Sequence, residues 1–370
     1  MRRAGPVPPT GRGRIEALQT PLRDDALMVG PPSCTAADFA LPRLRRCPSD
    51  LDGFVWGPRL GAGLDGCVWK VWSGDQGPFI LKVFWDTEPP ELAHYYAPQR
   101  ECQIAALLQM METAVEKAAA ASRPILLYAD PKTWEDALDN QAAFSNEARL
   151  AQQLPAGQEL EPGYRHITTM PRMRKCYGWL TVESRVFREL PFRLKLPVIK
   201  VDKLTRFIER DKEYTAILYE YVDEAENDVD VVQEAMDFFW LAGFSRTLSQ
   251  LPQNWKSGVL IDLCDISPPC GYGWSEARYR RGPYSAALML QQPEAGETPY
   301  LRAPSHLARS RAQQPVIQAT PTQSSSSSPS LPPSPSPSPT QPSAQSSPQA
   351  PHSYNLRPRN SHPGQATGNG

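Results

Sequence analysis

Gly61-Ala62-Gly63-Leu64-Asp65-Gly66-Cys67-Val68 and, a short way on, Phe79-Ile80-Leu81-Lys82-Val83-Phe84 decide how this chain is read. The first stretch fits G-x-G-x-x-G-x-V. Glycines at Gly61, Gly63 and Gly66 let a backbone approach phosphates closely and adopt unusual φ values. Val68 closes the pattern. In a dinucleotide-binding fingerprint such a loop opens a helix. Here Cys67 to Trp72 is rich in β-branched and aromatic residues, as is Phe54-Val55-Trp56 before it, so both read as strands. The glycine loop therefore joins two strands, and the plain alternative is an ordinary hairpin turn. Lys82 lies 21 residues after Gly61, inside an apolar strand. A lysine there is costly without a partner. A three-strand meander returns it beneath the glycine loop, where its ammonium meets phosphates; the alternative is an edge lysine. Two carboxylates are candidates for its partner. Glu101 opens a helix expected over Gln99 to Ala121, and Glu147 lies in a shorter one over Phe144 to Leu154.

The remaining motifs lie downstream. Cys176 to Val182 and Ala216 to Val222 read as strands, and Asp230 to Phe244 as an amphipathic helix. Ile217-Leu218-Tyr219-Glu220-Tyr221-Val222 resembles the kinase strand that runs into the hinge, which implies that the backbones of Glu220 and Val222 are offered to an adenine edge; the alternative is a plain buried strand. Val259-Leu260-Ile261-Asp262 ends an apolar strand on an acid, like the D-F-G element whose Asp holds Mg²⁺. Asn254, eight residues earlier, matches the end of H-R-D-x-x-x-x-N. For both, a strand-end turn is the alternative. These motifs imply ATP and Mg²⁺, with Asn254 and Asp262 as metal ligands. The catalytic base is missing. Ser249 stands where the aspartate of that loop belongs, and no Asp, Glu or His occurs between Asp237 and Asp262. A general base must reach the substrate hydroxyl directly or through one water, and a serine is a poor proton acceptor near neutral pH. About 35 residues follow Asp262 before the low-complexity tail, with no A-P-E. A substrate platform is absent or replaced by the segment Gly271 to Tyr300.

Together these residues resemble a fungal protein-kinase-like family, that of the inner-kinetochore Sim-four complex subunit Fta-two. The likeness is carried by the glycine loop with Val68-Trp69-Lys70-Val71, by Leu81-Lys82-Val83-Phe84-Trp85 and by Phe144-Ser145-Asn146-Glu147. It continues through Arg174-Lys175-Cys176-Tyr177-Gly178-Trp179, Tyr219-Glu220-Tyr221, Phe238-Phe239-Trp240-Leu241-Ala242-Gly243-Phe244 and Asn254 to Asp262. The resemblance favours Glu147 over Glu101 as the partner of Lys82. It implies a centromere-associated nuclear protein.

Composition frames the rest. Net charge is -1, so the whole chain is not a generic nucleic-acid binder. The charge is uneven: 13 Lys/Arg against five Asp/Glu from Arg165 to Lys212, then seven acids and no base from Glu220 to Glu234. The basic stretch 165–212 is the candidate contact for nucleic acid or an acidic protein. Seven scattered cysteines without a CxxC suit a reduced, intracellular protein, nuclear or cytoplasmic. No secretory signal or membrane span is visible, so no membrane partner is expected. Residues 1–50 read as a disordered lead, with a docked piece near Phe39 to Leu44. Residues 51–302 read as the kinase-like domain, with an insert over about 86–140. Residues 303–370, with Ser324 to Ser328 and repeated Ser-Pro steps, read as a disordered tail. The expected fold is α+β, a two-lobed protein-kinase-like domain with a reduced C-terminal lobe. The expected function is a pseudokinase scaffold that binds a protein partner. The alternative is an atypical ATP-dependent phosphotransferase, because phosphoryl transfer depends mainly on positioning and charge.

Overall fold

A computed structural model describes residues 21–91, 95–152, 163–196, 198–201, 204–248 and 250–291. Ser249 and the tail from 303 lie outside the described residues, as do residues 1–20. The described chain begins with β1 (Arg23–Leu27), α1 (Ala36–Ala40) and β2 (Leu44–Arg46). A meander follows: β3 (Phe54–Ala62), β4 (Gly66–Ser73) and β5 (Gln76–Phe84). Then come α2 (Ala97–Ala120), β6 (Ile125–Tyr128), α3 (Trp134–Ala142), α4 (Asn146–Ala151) and β7 (Tyr164–Ile167), which pairs with β6. Next are β8 (Cys176–Glu183), α5 (Ser184–Glu189) and a small hairpin of β9 (Ile199–Val201) and β10 (Leu204–Arg206). β11 (Glu213–Glu220) leads to α6 (Val229–Leu241). The last part holds β12 (Ser245–Arg246), β13 (Trp255–Lys256), β14 (Val259–Leu260) and β15 (Ile266–Ser267), with β12 paired to β15 and β13 to β14. Two short helices, α7 (Glu276–Tyr279) and α8 (Ala286–Leu290), close it.

The fold is thus mixed α+β around one seven-stranded sheet of order β1-β2-β8-β11-β5-β4-β3. The five strands from β8 to β3 are antiparallel, while β1, β2 and β8 run parallel. Alternation along the strands decides what each face buries. Cys67, Trp69, Val71, Leu81 and Val83 point to one face, where they pack with Leu180, Val182 and Phe187. Ile80, Phe84 and Ile217 point to the other, against α2 and α6. Lys82 shares that second face, and it alone among these strand residues carries a charge into it.

Two expectations need correction. Residues 21–50 are not a disordered lead. Cys34, Phe39 and Leu44 are buried, and β2 adds to the sheet beside β8. Gly178 makes room for this: at φ +112°, a Cβ there would lie 2.6 Å from the Cys47 nitrogen. The segment expected as an insert over about 86–140 contains α2, which follows the Lys82 strand directly.

Candidate functional site

Lys82 is the centre of the site. Its register partners are Val68 on β4 and Ile217 on β11, so it sits mid-sheet and faces α2. Nζ donates to Glu101 Oε2 at 2.6 Å and to Asp262 Oδ1 at 3.0 Å. Glu101 lies just past the first turn of α2, in which Pro98 fits because the first helical N–H groups have no intrahelical acceptor. Its second oxygen accepts from the Tyr219 hydroxyl at 3.0 Å. Asp262 caps the short turn after β14 and accepts the Cys264 N–H at 3.2 Å.

The electrostatics follow from this geometry. Burial opposes the charge on Lys82, but Asp262 and Glu101 outweigh it, and the lysine is held protonated. Burial pushes the Glu101 carboxyl up, against the pull of Lys82. For Asp262 the net direction is reversed: burial raises it, yet the charge and hydrogen bond of Lys82, with the hydrogen bonds from Cys264, leave it below the usual carboxylate range. The site therefore holds one cation between two carboxylates, one of them buried on α2 and the other, Asp262, one-third exposed at 34%.

The expected partner Glu147 is not at the site. It lies on α4, exposed, and its Oε2 accepts the Ala36 N–H at 2.8 Å. This corrects the preference for Glu147: its carboxylate fastens the segment between β1 and β2, and Glu101 holds Lys82. The glycine loop is a β3–β4 turn. Ala62 pairs with Cys67, and Gly63 N–H donates to Gly66 O at 2.9 Å. Gly61 is exposed, with open space around it. Gly66 has a different reason to be glycine, because a Cβ there would lie 2.1 Å from the Val83 carbonyl oxygen. Val68 is half-buried against the Lys82-side core.

At the end of β11, the Glu220 N–H donates to Lys175 O at 2.8 Å, and Glu220 O accepts from Arg174 Nε at 3.1 Å. A carbonyl has a second lone pair for another donor, but the Glu220 backbone is not free as expected. Val222 is buried. Arg174 also donates to Ile261 O at 2.7 Å and lies over the Tyr219 ring at 4.4 Å. It ties β11 to the strand that ends in Asp262.

Asn254 and Asp262 stand at the two ends of the β13–β14 hairpin, where Ile261 N–H donates to Asn254 O at 2.8 Å. Their side chains are not bonded to each other. Asn254 Nδ2 donates to Asp265 Oδ1 at 2.9 Å, while Asp265 Oδ2 is buried without a partner among the described residues. Burial and then the charge of Asp262 drive the Asp265 carboxyl well up. Among the described residues no group of three or more His, Cys, Asp and Glu side chains is placed to hold a metal. An Asn oxygen and one ionised carboxylate suit Mg²⁺ that arrives with phosphates, since Mg²⁺ keeps waters and takes few protein ligands.

Sequence reasoning gave no role to Arg174, Tyr219 or Asp265, nor to Asp65, whose Oδ2 accepts from the Tyr95 hydroxyl at 2.7 Å. Asp65 and Asp265 stood inside quoted or adjacent motifs. Their signal was an acid placed beside glycines or a strand end, where burial demands a donor.

No known protein family, curated protein or solved structure matches this chain. The function must therefore be argued from the site.

Proposed function

We propose that this chain is a kinase-like interaction protein: a two-lobed pseudokinase that holds an adenine nucleotide without passing on its phosphate. The observation that carries this is the Lys82–Glu101–Asp262 cluster. Kinases require a lysine on the third strand of the meander, a glutamate on the following helix and a metal-binding Asp at a later strand end. Here the lysine is on β5, the third strand of the meander, and the glutamate is on the helix that follows it. No Asp, Glu or His between Asp237 and Asp262 is available as a base. The bound group would be ATP, with Mg²⁺ met by Asn254 and Asp262.

Scaffolding follows from the missing base, and its partner is a protein. The basic stretch 165–212 supports nucleic acid less well. Arg172 is paired with Glu220, Arg206 with Asp86 at 2.7 Å and Arg185 with Glu183 at 2.8 Å, so part of that charge is used internally. Centromere association and a nuclear site rest on the sequence resemblance. Microscopy of the tagged full chain beside a centromere marker tests both. Among the described residues no helix is long and apolar enough to cross a membrane.

A second reading, an atypical phosphotransferase, is favoured by the ion pair being already formed. The test of nucleotide binding is thermal unfolding with and without millimolar Mg-ATP, beside Lys82→Ala. A ligand at 100 times its dissociation constant stabilises the native state by about 2.7 kcal/mol. A shift present in the wild type and lost in the variant supports the cleft; the same curve with and without Mg-ATP removes it.

A further inference from the structure

A second polar site lies in the last part of the chain. A cavity of about 30 Å³ is enclosed by α6, β12, Gln250 and α7, with Phe239 and Ile266 among its apolar walls. One water needs roughly 10–15 Å³, so the space suits one or two particles of that size. Three buried polar atoms on its lining have no hydrogen-bond partner among the described residues: Arg246 Nε, the Tyr279 hydroxyl and Gln250 Oε1. Tyr279 is 1% exposed and Gln250 8%. Arg278 lines the cavity too, and its Nε donates to Arg246 O at 2.9 Å, which brings the two arginines together. The Arg246 guanidinium lies over the Tyr284 ring at 4.4 Å. Among the described residues no carboxylate lines the cavity and none pairs with either arginine.

Burial disfavours both cations, and the charge of Arg246 adds its repulsion to Arg278. A guanidinium keeps its proton inside proteins, so an opposite charge is what lowers that cost. Water would satisfy the hydroxyl but leave two like charges uncompensated. We propose that this cavity is a binding site for a monatomic anion of the chloride class, held by Arg246, Arg278 and the Tyr279 hydroxyl, and that the ion ties α7 to β12. The Gln250 amide joins them after a half-turn about its last bond, which presents N–H in place of the orphaned oxygen. The space is too small for an organic anion such as gluconate. Lys82, Glu101 and Asp262 do not line it, so the site stands independently of the nucleotide reading.

The experiment is thermal unfolding of the full chain while sodium gluconate is exchanged for sodium chloride at constant ionic strength. It is run on the wild type, Tyr279→Phe and Arg246→Met, with the chloride NMR line width followed in parallel. The melting temperature of the wild type is expected to rise with chloride and to saturate. In Tyr279→Phe the chloride concentration at half the rise should be roughly tenfold higher, as befits one lost hydrogen bond to a charged group. In Arg246→Met the rise should vanish, and the line broadening should fall in the same order. The same melting temperature in both salts overturns the site, and so does a chloride dependence left unchanged by Tyr279→Phe. Should Arg246→Met fail to fold, Tyr279→Phe decides alone, since it keeps the ring and its packing. Line broadening without any rise in melting temperature marks an adventitious ion only and overturns the proposal.

Discussion

Replacing Glu101 by Gln separates the two carboxylates that competed for Lys82. The side chains of Lys82 and Glu101 are only 8% and 4% exposed, and their atoms are 2.6 Å apart. Removing one partner of a buried ion pair costs about 3–5 kcal/mol. Asp262, at 3.0 Å, keeps Lys82 from being left alone, and burial already disfavours the ionised Glu101. The low end, about 3 kcal/mol, is therefore expected. For a body of this size that lowers the melting temperature by roughly 6–12 °C, at about 2–4 °C per kcal/mol. Glu147→Gln is the control. It is exposed and keeps an amide oxygen for the Ala36 N–H, so its loss should stay below about 1 kcal/mol. Urea unfolding followed by tryptophan fluorescence reads both. A further variant, Lys82→Met with Glu101→Met, should lose less than Lys82→Met alone, because only Asp262, one-third exposed, is then left facing a missing partner. Equal losses in Glu101→Gln and Glu147→Gln would refute the assignment of Glu101 as the buried partner.

Other outcomes follow from the same packing. Gly66→Ala should destabilise by about 1–3 kcal/mol through overpacking against Val83, while Gly61→Ala, facing open space, should be close to neutral in the same urea assay. Phe39→Ala should cost about 3–5 kcal/mol, measured by denaturant midpoint, since Phe39 is 2% exposed and stacks on Phe144 at 6.5 Å. Stability should also fall at alkaline pH. Burial pushes the Cys176 thiol up to about 12, so the folded state keeps its proton when the unfolded state has released it. That contribution is complete below the unfolded thiol value of about 8.5 and is lost as pH rises from there toward the folded value, with a slope of at most about 1.4 kcal/mol per pH unit. Cys176→Ala should make the decline measured between these limits shallower.

The meander was legible because its signals are local. Cys67, Trp69 and Val71 alternate with Val68 and Lys70, and glycines mark the turn before them. Lys82 was legible because a charge in an apolar strand needs a partner. Which partner was not legible, since it depends on where α2 packs. Glu101 shares a helix face with Ile104, Ala105 and Leu108, all buried, and that face meets the sheet. Glu147 was favoured by a local motif, but it sits at the exposed start of α4, with its backbone neighbour Asn146 bonded to Cys34 O. The strap of β1, α1 and β2 was legible only as a docked piece near Phe39 to Leu44, where both residues are buried. Its anchors Cys34, Phe39 and Leu44 are single apolar residues among prolines and arginines, too sparse to show a period. Its strand partner β8 is more than a hundred residues away, so the pairing is tertiary. Asp65 was read as a loop residue. Only the distance from Tyr95 reveals that it closes the turn.

The central claim is that the Lys82 cluster holds a nucleotide with no base to drive transfer. Its most direct test is single-turnover release or transfer of the γ-phosphate, at a Mg-ATP concentration that saturates the thermal shift. The account predicts no transfer above a protein-free blank. Phosphate transfer that disappears in Asp262→Asn would contradict it and make the chain an enzyme.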